Sequence, residues 1–278
     1  MMLKRIKDDS GIAVCIILFG YLMLGVTVLE FNRSLLQIAT VSAAAVCIEL
    51  LLAKTFNKKI GFPLSALVTS FGLSLLLNFS HNWFYPLVPV FFAIGSKYVF
   101  TFKGKHVYNP AMFGVVASLL LTQELVTASP AYQWNGIAFM TLIVVMPALM
   151  FFMPKIDRTP LVVSFLITYT LLTALRAQIM KHHLPFGTLF LGTLSSPSFM
   201  IFTFFMITDP ATSPSKKKTQ IKVGVALAIV DLLFHLKRSY YTFFYASFVV
   251  ASFRFALNHW KAARASGNVP DYFFGAFL

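Results

Sequence analysis

Long apolar runs separated by short polar segments are the feature that most constrains how this chain folds. We place ten such runs at about 11–31, 34–53, 62–79, 83–100, 110–123, 136–153, 159–178, 185–208, 220–236 and 240–257. A helix that crosses a membrane needs about 20 mostly apolar residues, and most of the runs approach that length. We therefore predict an all-α, polytopic helical membrane protein with about ten transmembrane spans.

The composition supports a membrane protein and argues against a soluble one. Of the 278 residues, 58% are hydrophobic and 12% are charged, whereas an ordinary soluble domain has about 25% charged residues. Ten spans would leave no room for a separate soluble catalytic domain. We therefore treat residues 1–278 as a single integral membrane domain, with one half at about 11–123 and the other at about 136–257.

The positive charges predict an orientation. The net charge of +14 would suggest a nucleic-acid partner in a soluble protein, but here the basic residues fall in short segments between apolar runs. If the N-terminus is cytoplasmic, eighteen of the 23 Lys and Arg residues lie on the inside; the others are Arg33, Arg176, Lys181, Lys237 and Arg238. Because cytoplasmic loops carry the excess of Lys and Arg, we predict two cytoplasmic termini and no nucleic-acid partner.

Two short, similar motifs occur in the two halves, one in each. Asn109-Pro110-Ala111 opens the fifth run, and Asp209-Pro210-Ala211 follows the eighth. Asn or Asp before Pro favours a turn, and its side chain caps a helix that begins at the Pro. The exposed N–H groups of such a helix end attract anions. Two ends from two halves predict a shared binding site at their interface; the alternative is two ordinary helix caps.

The eighth run also contains Pro185, Gly187, Gly192 and Pro197. Helix breakers at membrane depth are tolerated where protein or a cavity satisfies the freed backbone groups. We therefore predict a broken or re-entrant helix at 185–208.

Longer stretches around the two motifs carry a family resemblance. The first reads Asn-Pro-Ala-Met-Phe-Gly over 109–114, and the second reads Phe-Phe-Met-Ile-Thr-Asp-Pro-Ala-Thr-Ser-Pro over 204–214. Both resemble signatures of the NqrB/RnfD family of membrane proteins. That family includes the NqrB component of the sodium-pumping NADH:quinone oxidoreductase and the RnfD component of Rnf electron transport complexes.

The resemblance implies a two-repeat membrane protein of a bacterial-type cytoplasmic membrane. It also implies a bound flavin (FMN or riboflavin) and electron transfer between partner subunits, with ion movement as a further possible coupling. Carried onto this chain, the cofactor-binding residues are those of the two signatures: Asn109, Pro110, Phe113, Gly114, Thr208, Asp209, Thr212 and Ser213. Nearby aromatic side chains, such as Phe205, are candidates for stacking on the flavin ring.

One departure from the family concerns flavin attachment. The family usually carries a Ser/Thr-Gly-Ala-Thr-like motif between the signatures, whose last Thr bonds covalently to the flavin phosphate. This chain lacks it, and the nearest candidates by position are Thr127 and Ser129, without the Gly. We therefore expect a non-covalent flavin.

Three ionisable residues within the apolar runs are candidates for an ion or proton path. Glu49 lies one turn before Lys54, while Asp231 and His235 share a helix face at i and i+4. The structural alternatives are pairing of Glu49 with Lys54 and an interfacial Asp–His pair. No spacing in the sequence points to a metal site.

Two other functions stay open. A transporter or channel for a small solute such as a flavin would also use a site between two halves and a broken span. A structural subunit without cofactor would account for the missing attachment motif. Whether the chain is the electron-transfer subunit of a membrane oxidoreductase is therefore undecided by its residues.

Overall fold

The structure is a computed structural model that describes residues 10–29, 31, 33–58, 61–79, 84–122, 125–128, 138–179, 185–194 and 196–265. The described part of the first half contains five helices: α1 (Ser10–Thr27), α2 (Leu35–Thr55), α3 (Leu64–Leu76), α4 (Leu87–Val99) and α5 (Pro110–Leu121). It also contains four short strands: β1 (Leu77–Phe79), β2 (Thr101–Phe102), β3 (Lys105–His106) and β4 (Val126–Ala128). β1 pairs antiparallel with β4, and β2 with β3.

The helices of the second half are less regular. α6 (Ala138–Pro147) continues through a π-helical turn at Ala148–Phe152 into α7 (Met153–Ile156). α8 (Thr159–Ile179) is regular, whereas α9 (Phe186–Leu194) is followed by α10 (Pro197–Ile201) and a second π-helical turn at Phe202–Met206. α11 (Lys217–Leu236) and α12 (Thr242–Ala265) complete the half. Each of the ten predicted apolar runs thus contains a helix, and the fold is all-α apart from the short strand pairs.

Among the described residues, three helices are long and apolar enough to cross a membrane by themselves: α2, α8 and α11. The axes of the helices Phe186–Thr193 and Pro197–Met206 differ by 63°, which is the geometry of a broken span, and then a fourth crossing, or of a re-entrant loop. This bend lies where the sequence predicts a broken helix. The other apolar helices are shorter, with lengths of 10–17 residues: Gly11–Thr27 within α1, α3, α4, α5 and the stretch Leu142–Ile156.

Large apolar side chains cover much of the outer surface. Leu51 of α2, Phe91 of α4 and Leu171 of α8 are each more than 60% exposed. A soluble monomer rarely exposes apolar surface on this scale. Such an exterior fits contact with lipid chains.

The two halves are in contact at several places among the described residues. α3 packs against α1, α2 and α5 in the first half, and α11 packs against α8 and α12 in the second. Between the halves, α5 packs on α12, and α1 packs on the π-helical turn 148–152. The Tyr21 hydroxyl of α1 also donates a hydrogen bond to the Val144 carbonyl oxygen of α6, at 2.8 Å. Both motifs of the sequence lie beside this junction.

Helix pairs on both sides of the junction cross closely over a glycine. A Cβ on Gly114 of α5 would lie 2.5 Å from the Pro89 carbonyl oxygen of α4. A Cβ on Gly224 of α11 would lie 2.7 Å from the Leu161 carbonyl oxygen of α8. Small residues allow helices in membranes to approach this closely. Gly114, predicted to bind a cofactor, therefore serves helix packing.

Candidate functional site

The first motif begins a helix, as its sequence predicts. Asn109 is the N-cap of α5, and its Oδ1 accepts a hydrogen bond from the Met112 backbone N–H at 3.1 Å. Pro110 occupies the first helical position, where no N–H is needed. The hairpin of β2 and β3 precedes it and turns at Lys103 and Gly104, both with positive φ. This tight turn folds β3 back on β2. His106, the last residue of β3, lies three residues before Asn109 in the sequence.

The second motif forms a turn, and the prediction that Asp209 caps a helix is wrong. Asp209 Oδ1 accepts a hydrogen bond from the Ala211 backbone N–H at 3.0 Å, which closes a local turn. Helix α11 begins only at Lys217. Pro214 provides the physical reason, because a proline four residues after Pro210 would disrupt a helix that began there.

The two motifs meet side chain to side chain. Asn109 Nδ2 donates a hydrogen bond to Asp209 Oδ2 at 3.2 Å. His106 Nε2 lies 3.7 Å from the same Asp209 oxygen. Asn109 of the first half and Asp209 of the second thus form one polar contact, which we call the Asn–Asp pair. His106 lies beside this pair. The two motifs therefore meet between the halves, while the predicted shared binding site stays a prediction.

An apolar cavity of about 460 Å³ opens beside the Asn–Asp pair. Its walls come from both halves and are mainly aliphatic and aromatic, including Val14, Leu18, Val68, Leu76, Phe152 and Phe205. The rings of Phe152 and Phe205 are stacked, with centroids 5.3 Å apart. Asn109, Asp209 and His106 supply polar groups at the cavity wall, and Ser65 and Thr69 of α3 add two hydroxyls. A largely apolar cavity with a few converging polar groups is the usual form of a small-molecule site.

A second cavity, of about 480 Å³, lies against the same loop and is basic. It shares His106, Pro210 and Ala211 with the apolar cavity. Four further side chains on its wall are cationic: Lys103, Lys105, Arg158 and Arg254. Thr212 and Ser213 of the second motif also line it. These two predicted site residues therefore face a cavity different from the apolar one.

Two of the predicted site residues serve local packing. Phe113 lies among Phe100, Tyr108 and Phe248, with ring centroids between 5.1 and 5.9 Å from its own. The buried Thr208 donates its hydroxyl hydrogen to the Phe204 carbonyl oxygen one turn earlier. Of the aromatic residues near the motifs, Phe205 lines the apolar cavity and Phe102 lines the basic one.

Of the two candidates for covalent attachment, the structure describes Thr127, which lines neither cavity. Thr127 lies on β4, where it pairs with Asn78 of β1. β4 follows the C-terminal end of α5, whose 12 residues span about 18 Å from the Asn109 end. Ser129 lies outside the described residues.

Glu49 has a partner that the sequence did not suggest. Its Oε2 accepts a hydrogen bond from Lys97 Nζ at 2.7 Å, and its Oε1 accepts one from the Tyr98 hydroxyl at 3.2 Å. Both partners lie on α4, and Lys97 is buried. The alternative in which Glu49 pairs with Lys54 is therefore replaced by an ion pair between α2 and α4.

Asp231 and His235 do share one helix face. His235 Nε2 lies 3.4 Å from Asp231 Oδ2 and 3.1 Å from the Thr242 hydroxyl oxygen. Asp231 is buried, and its Oδ1 has no hydrogen-bond partner among the described residues. Asp231, His235 and Arg176 of α8 line one small cavity. This cluster keeps its place as a candidate for an ion or proton path, apart from the two cavities.

The cavity residues that sequence reasoning did not select include His106, Phe152, Arg158 and Arg254. In the sequence, Arg158 and Arg254 look like the other basic residues that set the membrane topology. Only the structure distinguishes them, because it places both beside the loop of the second motif. His106, three residues before Asn109, was the one available signal. Among the described residues, no group of three or more His, Cys, Asp or Glu side chains could hold a metal ion.

Comparison with known proteins agrees with the resemblance carried by the two motifs. The model of the NQR2, RnfD, RnfE family matches residues 4–135 and 122–266, which together cover most of the chain. The comparison with curated proteins gives no match. The family match and the apolar helices indicate a multi-pass membrane protein, and the family comprises membrane subunits of Rnf- and Nqr-type complexes. The two motifs, their meeting between the halves and this match over both regions show that the chain belongs to the NQR2, RnfD, RnfE family.

Proposed function

We propose that the protein is a flavin-binding electron-transfer subunit of an Rnf/Nqr-like membrane complex, and that it holds FMN or riboflavin without a covalent bond. The observation that carries the proposal is the apolar cavity of about 460 Å³ at the junction of the two motifs. Cavities for small molecules and cofactors occupy about 300–1,000 Å³, so the volume suits a tricyclic ring.

The residues around the cavity fit a flavin ring. The ring has apolar faces and one edge with alternating hydrogen-bond donors and acceptors. Phe152 and Phe205 offer an aromatic wall, and the Asn109 amide and the His106 imidazole offer polar groups at one region of it. When bound, the flavin would supply the electron chemistry, while the protein binds it, orients it and excludes water.

The Asn–Asp pair gives the site a defined charge. Asp209 is held by the Asn109 amide and the Ala211 N–H, so its carboxylate is fixed beside the cavity. A fixed negative charge disfavours the anionic reduced forms of a nearby flavin and so lowers its potential.

We also propose the finer topology: ten membrane spans, two related halves, and both termini in the cytoplasm of a bacterial-type inner membrane. The positive-inside bias and the ten helical runs support it. In this orientation both motifs and both cavities lie on the cytoplasmic side. Partner subunits with redox groups would then exchange electrons with the flavin from that side.

Flavin content of the purified full-length protein tests the proposal. Cells are grown with added riboflavin, and the protein is purified in mild detergent and denatured to separate free from bound flavin. We expect about one flavin per chain, released on denaturation. Flavin that stays with the polypeptide would contradict the non-covalent part, and a colourless protein would contradict flavin binding.

A bulky substitution at the cavity mouth tests whether the flavin binds in this cavity. Ser65 is exposed on the α3 face that lines it, so Ser65→Trp fills the mouth without entering the core. Because the indole would occupy space that the flavin ring needs, we expect flavin affinity to fall about tenfold, or by about 1.4 kcal/mol, and flavin content to fall with it. Ala39→Trp on the exposed face of α2 is the matched control and should keep its flavin. Equal flavin content in both variants would place the flavin elsewhere.

The transporter alternative predicts a different result. Reconstituted alone in vesicles, a carrier would move riboflavin across the bilayer, whereas an electron-transfer subunit would retain it. Flavin flux without partner subunits would therefore favour transport over the proposed function. A structural subunit would show neither bound flavin nor flux.

A further inference from the structure

The basic cavity of about 480 Å³ is strongly cationic. Its positive side chains are Lys103, Lys105, Arg158 and Arg254, with His106 beside them. Among the described residues that line it, none is Asp or Glu. The two lysines are exposed, and water solvates them well. The two arginines are different, because the protein partly or largely removes them from solvent.

Arg158 holds its charge inside the protein, with 8% of its surface exposed. Its Nε donates a hydrogen bond to Ser213 Oγ at 2.7 Å, and its NH1 donates to the carbonyl oxygens of Ile156 and Asp157, at 2.9 and 3.2 Å. These acceptors are neutral, and Arg158 forms no ion pair with a described carboxylate. A buried charge is costly unless it is paired. The cavity wall at Arg158 therefore favours an anionic ligand.

Arg254 of α12 adds a second guanidinium group to the same wall. Its NH1 donates a hydrogen bond to the Thr212 carbonyl oxygen at 3.1 Å. It too forms no ion pair with a carboxylate in the part of the chain that the structure describes. Arg158 and Arg254 are thus hydrogen-bonded to neighbouring residues of one loop. Guanidinium groups bind phosphate oxygens through several N–H groups, so this pair suits a phosphate.

The spanning helices that begin beside the cavity indicate its depth in the membrane. Arg158 directly precedes α8, and Ser215 lies two residues before α11; both helices are long and apolar enough to cross a membrane. Their beginnings are adjacent, because Gln220 Nε2 of α11 donates a hydrogen bond to the Asp157 carbonyl oxygen at 3.0 Å. A helix that spans the hydrocarbon core begins near the lipid headgroups. The cavity therefore lies at the depth of those headgroups.

The cavity has an exposed rim and apolar surface beside it. Lys105 and Ser215 line it and are exposed. Phe255 also lines it, and Phe253, two residues earlier on α12, is 63% exposed. This arrangement lets a headgroup phosphate enter at the rim while its acyl chains stay on the apolar exterior.

We propose that the basic cavity binds a phosphate oxyanion whose source is the headgroup of an anionic phospholipid. Arg158 and Arg254 bind the phosphate oxygens, and Lys103 and Lys105 raise the local positive potential. A zwitterionic headgroup fits less well, because its choline cation would meet the same four positive charges. The inference goes beyond the proposed function and does not require a flavin in the apolar cavity.

Native mass spectrometry of the full-length protein tests the inference. The protein is purified in mild detergent, stripped of lipid and mixed with equal amounts of phosphatidylglycerol and phosphatidylcholine. We expect one phosphatidylglycerol to be retained per chain, with a preference of about tenfold over phosphatidylcholine, since a hydrogen bond to a charged group corresponds to about that change in affinity. Equal retention of the two lipids would overturn the inference.

Arg254→Gln should remove most of this preference. Arg264→Gln is the matched control, because it lowers the charge of the same helix by the same amount at an exposed position outside the cavity. It should keep the preference for phosphatidylglycerol. An equal loss in both variants would show that the general charge of the surface attracts the lipid, and would overturn the inference.

A second pair of variants covers the case in which Arg254→Gln does not fold. Ser215→Glu places a carboxylate at the exposed rim, where it competes with the phosphate, and we expect phosphatidylglycerol affinity to fall about fivefold. Thr219→Glu adds the same charge at an exposed position of α11 outside the cavity and should have little effect. Equal affinity in these two variants would contradict binding in the cavity.

Soluble competitors identify the source of the oxyanion. Inorganic phosphate and a polyglutamate peptide are each added at the concentration of the lipid. We expect neither to displace phosphatidylglycerol, because the acyl chains anchor the headgroup at the protein surface. Displacement by phosphate would show that the cavity takes a free oxyanion, and displacement by the peptide would favour an acidic protein segment. Either result would overturn the assignment to a lipid.

Discussion

The two proline motifs begin with nearly the same three residues and fold differently. Asn109 caps α5 at once, whereas Asp209 closes a turn and α11 begins only at Lys217. The residues that follow make the difference: Met112, Phe113 and Gly114 continue an apolar helix, but Pro214 prevents one. The first motif therefore provides a rigid helix end. The second provides a loop whose backbone and side chains face two cavities.

The largest effect on stability should come from Gly114, the residue of the first motif that serves helix packing and not ligand binding. Gly114→Ala places a Cβ against the Pro89 carbonyl oxygen, and we expect a loss of about 1–3 kcal/mol in the free energy of unfolding. Unfolding by SDS in mixed micelles measures it.

Gly95→Ala in α4 is the matched control for that variant. No atom lies within 4 Å of a Cβ placed there. Because Ala favours the helix over Gly by about 1 kcal/mol, this variant should be slightly more stable than the wild type. Equal stability of the two variants would show that α4 and α5 are not closely packed.

The second motif should matter more for ligand binding than for stability. Asp209→Ala removes the acceptor for Asn109 and for the Ala211 N–H, and we expect flavin affinity to fall about tenfold. The protein should still insert in the membrane, because the apolar runs are unchanged.

Asp157→Asn is a suitable control for the Asp209 variant. Asp157 is an exposed carboxylate outside both cavities, and Asn tolerates its left-handed backbone conformation, with φ +48°. Flavin affinity should not change there. If Asp209→Ala leaves flavin affinity unchanged as well, Asp209 is not part of the site.

Making the two motifs alike should make them repel. Asn109→Asp keeps a good helix cap but puts a second carboxylate beside Asp209, and we expect a loss of about 1–2 kcal/mol at pH 7. The folded pair takes up a proton more readily than the unfolded chain. The loss of unfolding free energy in Asn109→Asp should therefore become smaller as the pH falls toward about 4.

Asn109→Ser supplies the control for that pH dependence, since it keeps a capping oxygen without adding charge. It should show a smaller deficit that does not depend on pH. A deficit of Asn109→Asp that stays constant between pH 7 and pH 4 would indicate that the two side chains do not meet.

The smallest effect concerns the loop of the second motif. Ser213→Ala removes the acceptor for Arg158 Nε and the donor to the Asp209 carbonyl oxygen, and we expect a loss of about 1 kcal/mol in unfolding free energy. Ser215→Ala, in the same loop and exposed, should change it by less than about 0.5 kcal/mol. Equal values would mean that Arg158 does not anchor the loop.

Much of the helical architecture follows from the sequence because hydropathy is a local property. Every apolar run that the sequence predicts contains a helix, and the bend near 194–197 lies among the prolines and glycines that predict it. The Asn109 cap is local too, since its acceptor and donor are three residues apart. The short pairing of β1 with β4 was not predicted, because its strands lie far apart in the chain and are only three residues long.

The site was predicted only in part because its walls come from distant segments. The meeting of Asn109 and Asp209 followed from the repeated motif, but the role of Gly114 in packing depends on where α4 crosses α5. Likewise, Glu49 pairs with Lys97 because α2 and α4 are neighbours. Neither neighbour relation is visible in the residues themselves.

The sequence by itself determined that this is a helical membrane protein, which residues begin α5, and to which family it belongs. Those properties depend on local hydropathy, local backbone chemistry and recognisable motifs. Only the tertiary structure decided that the second motif separates an apolar cavity from a basic one, and that Arg158 and Arg254 converge on its loop. The physical reason is that burial and the pairing of charges depend on contacts between residues far apart in the chain, which the order of residues does not specify locally.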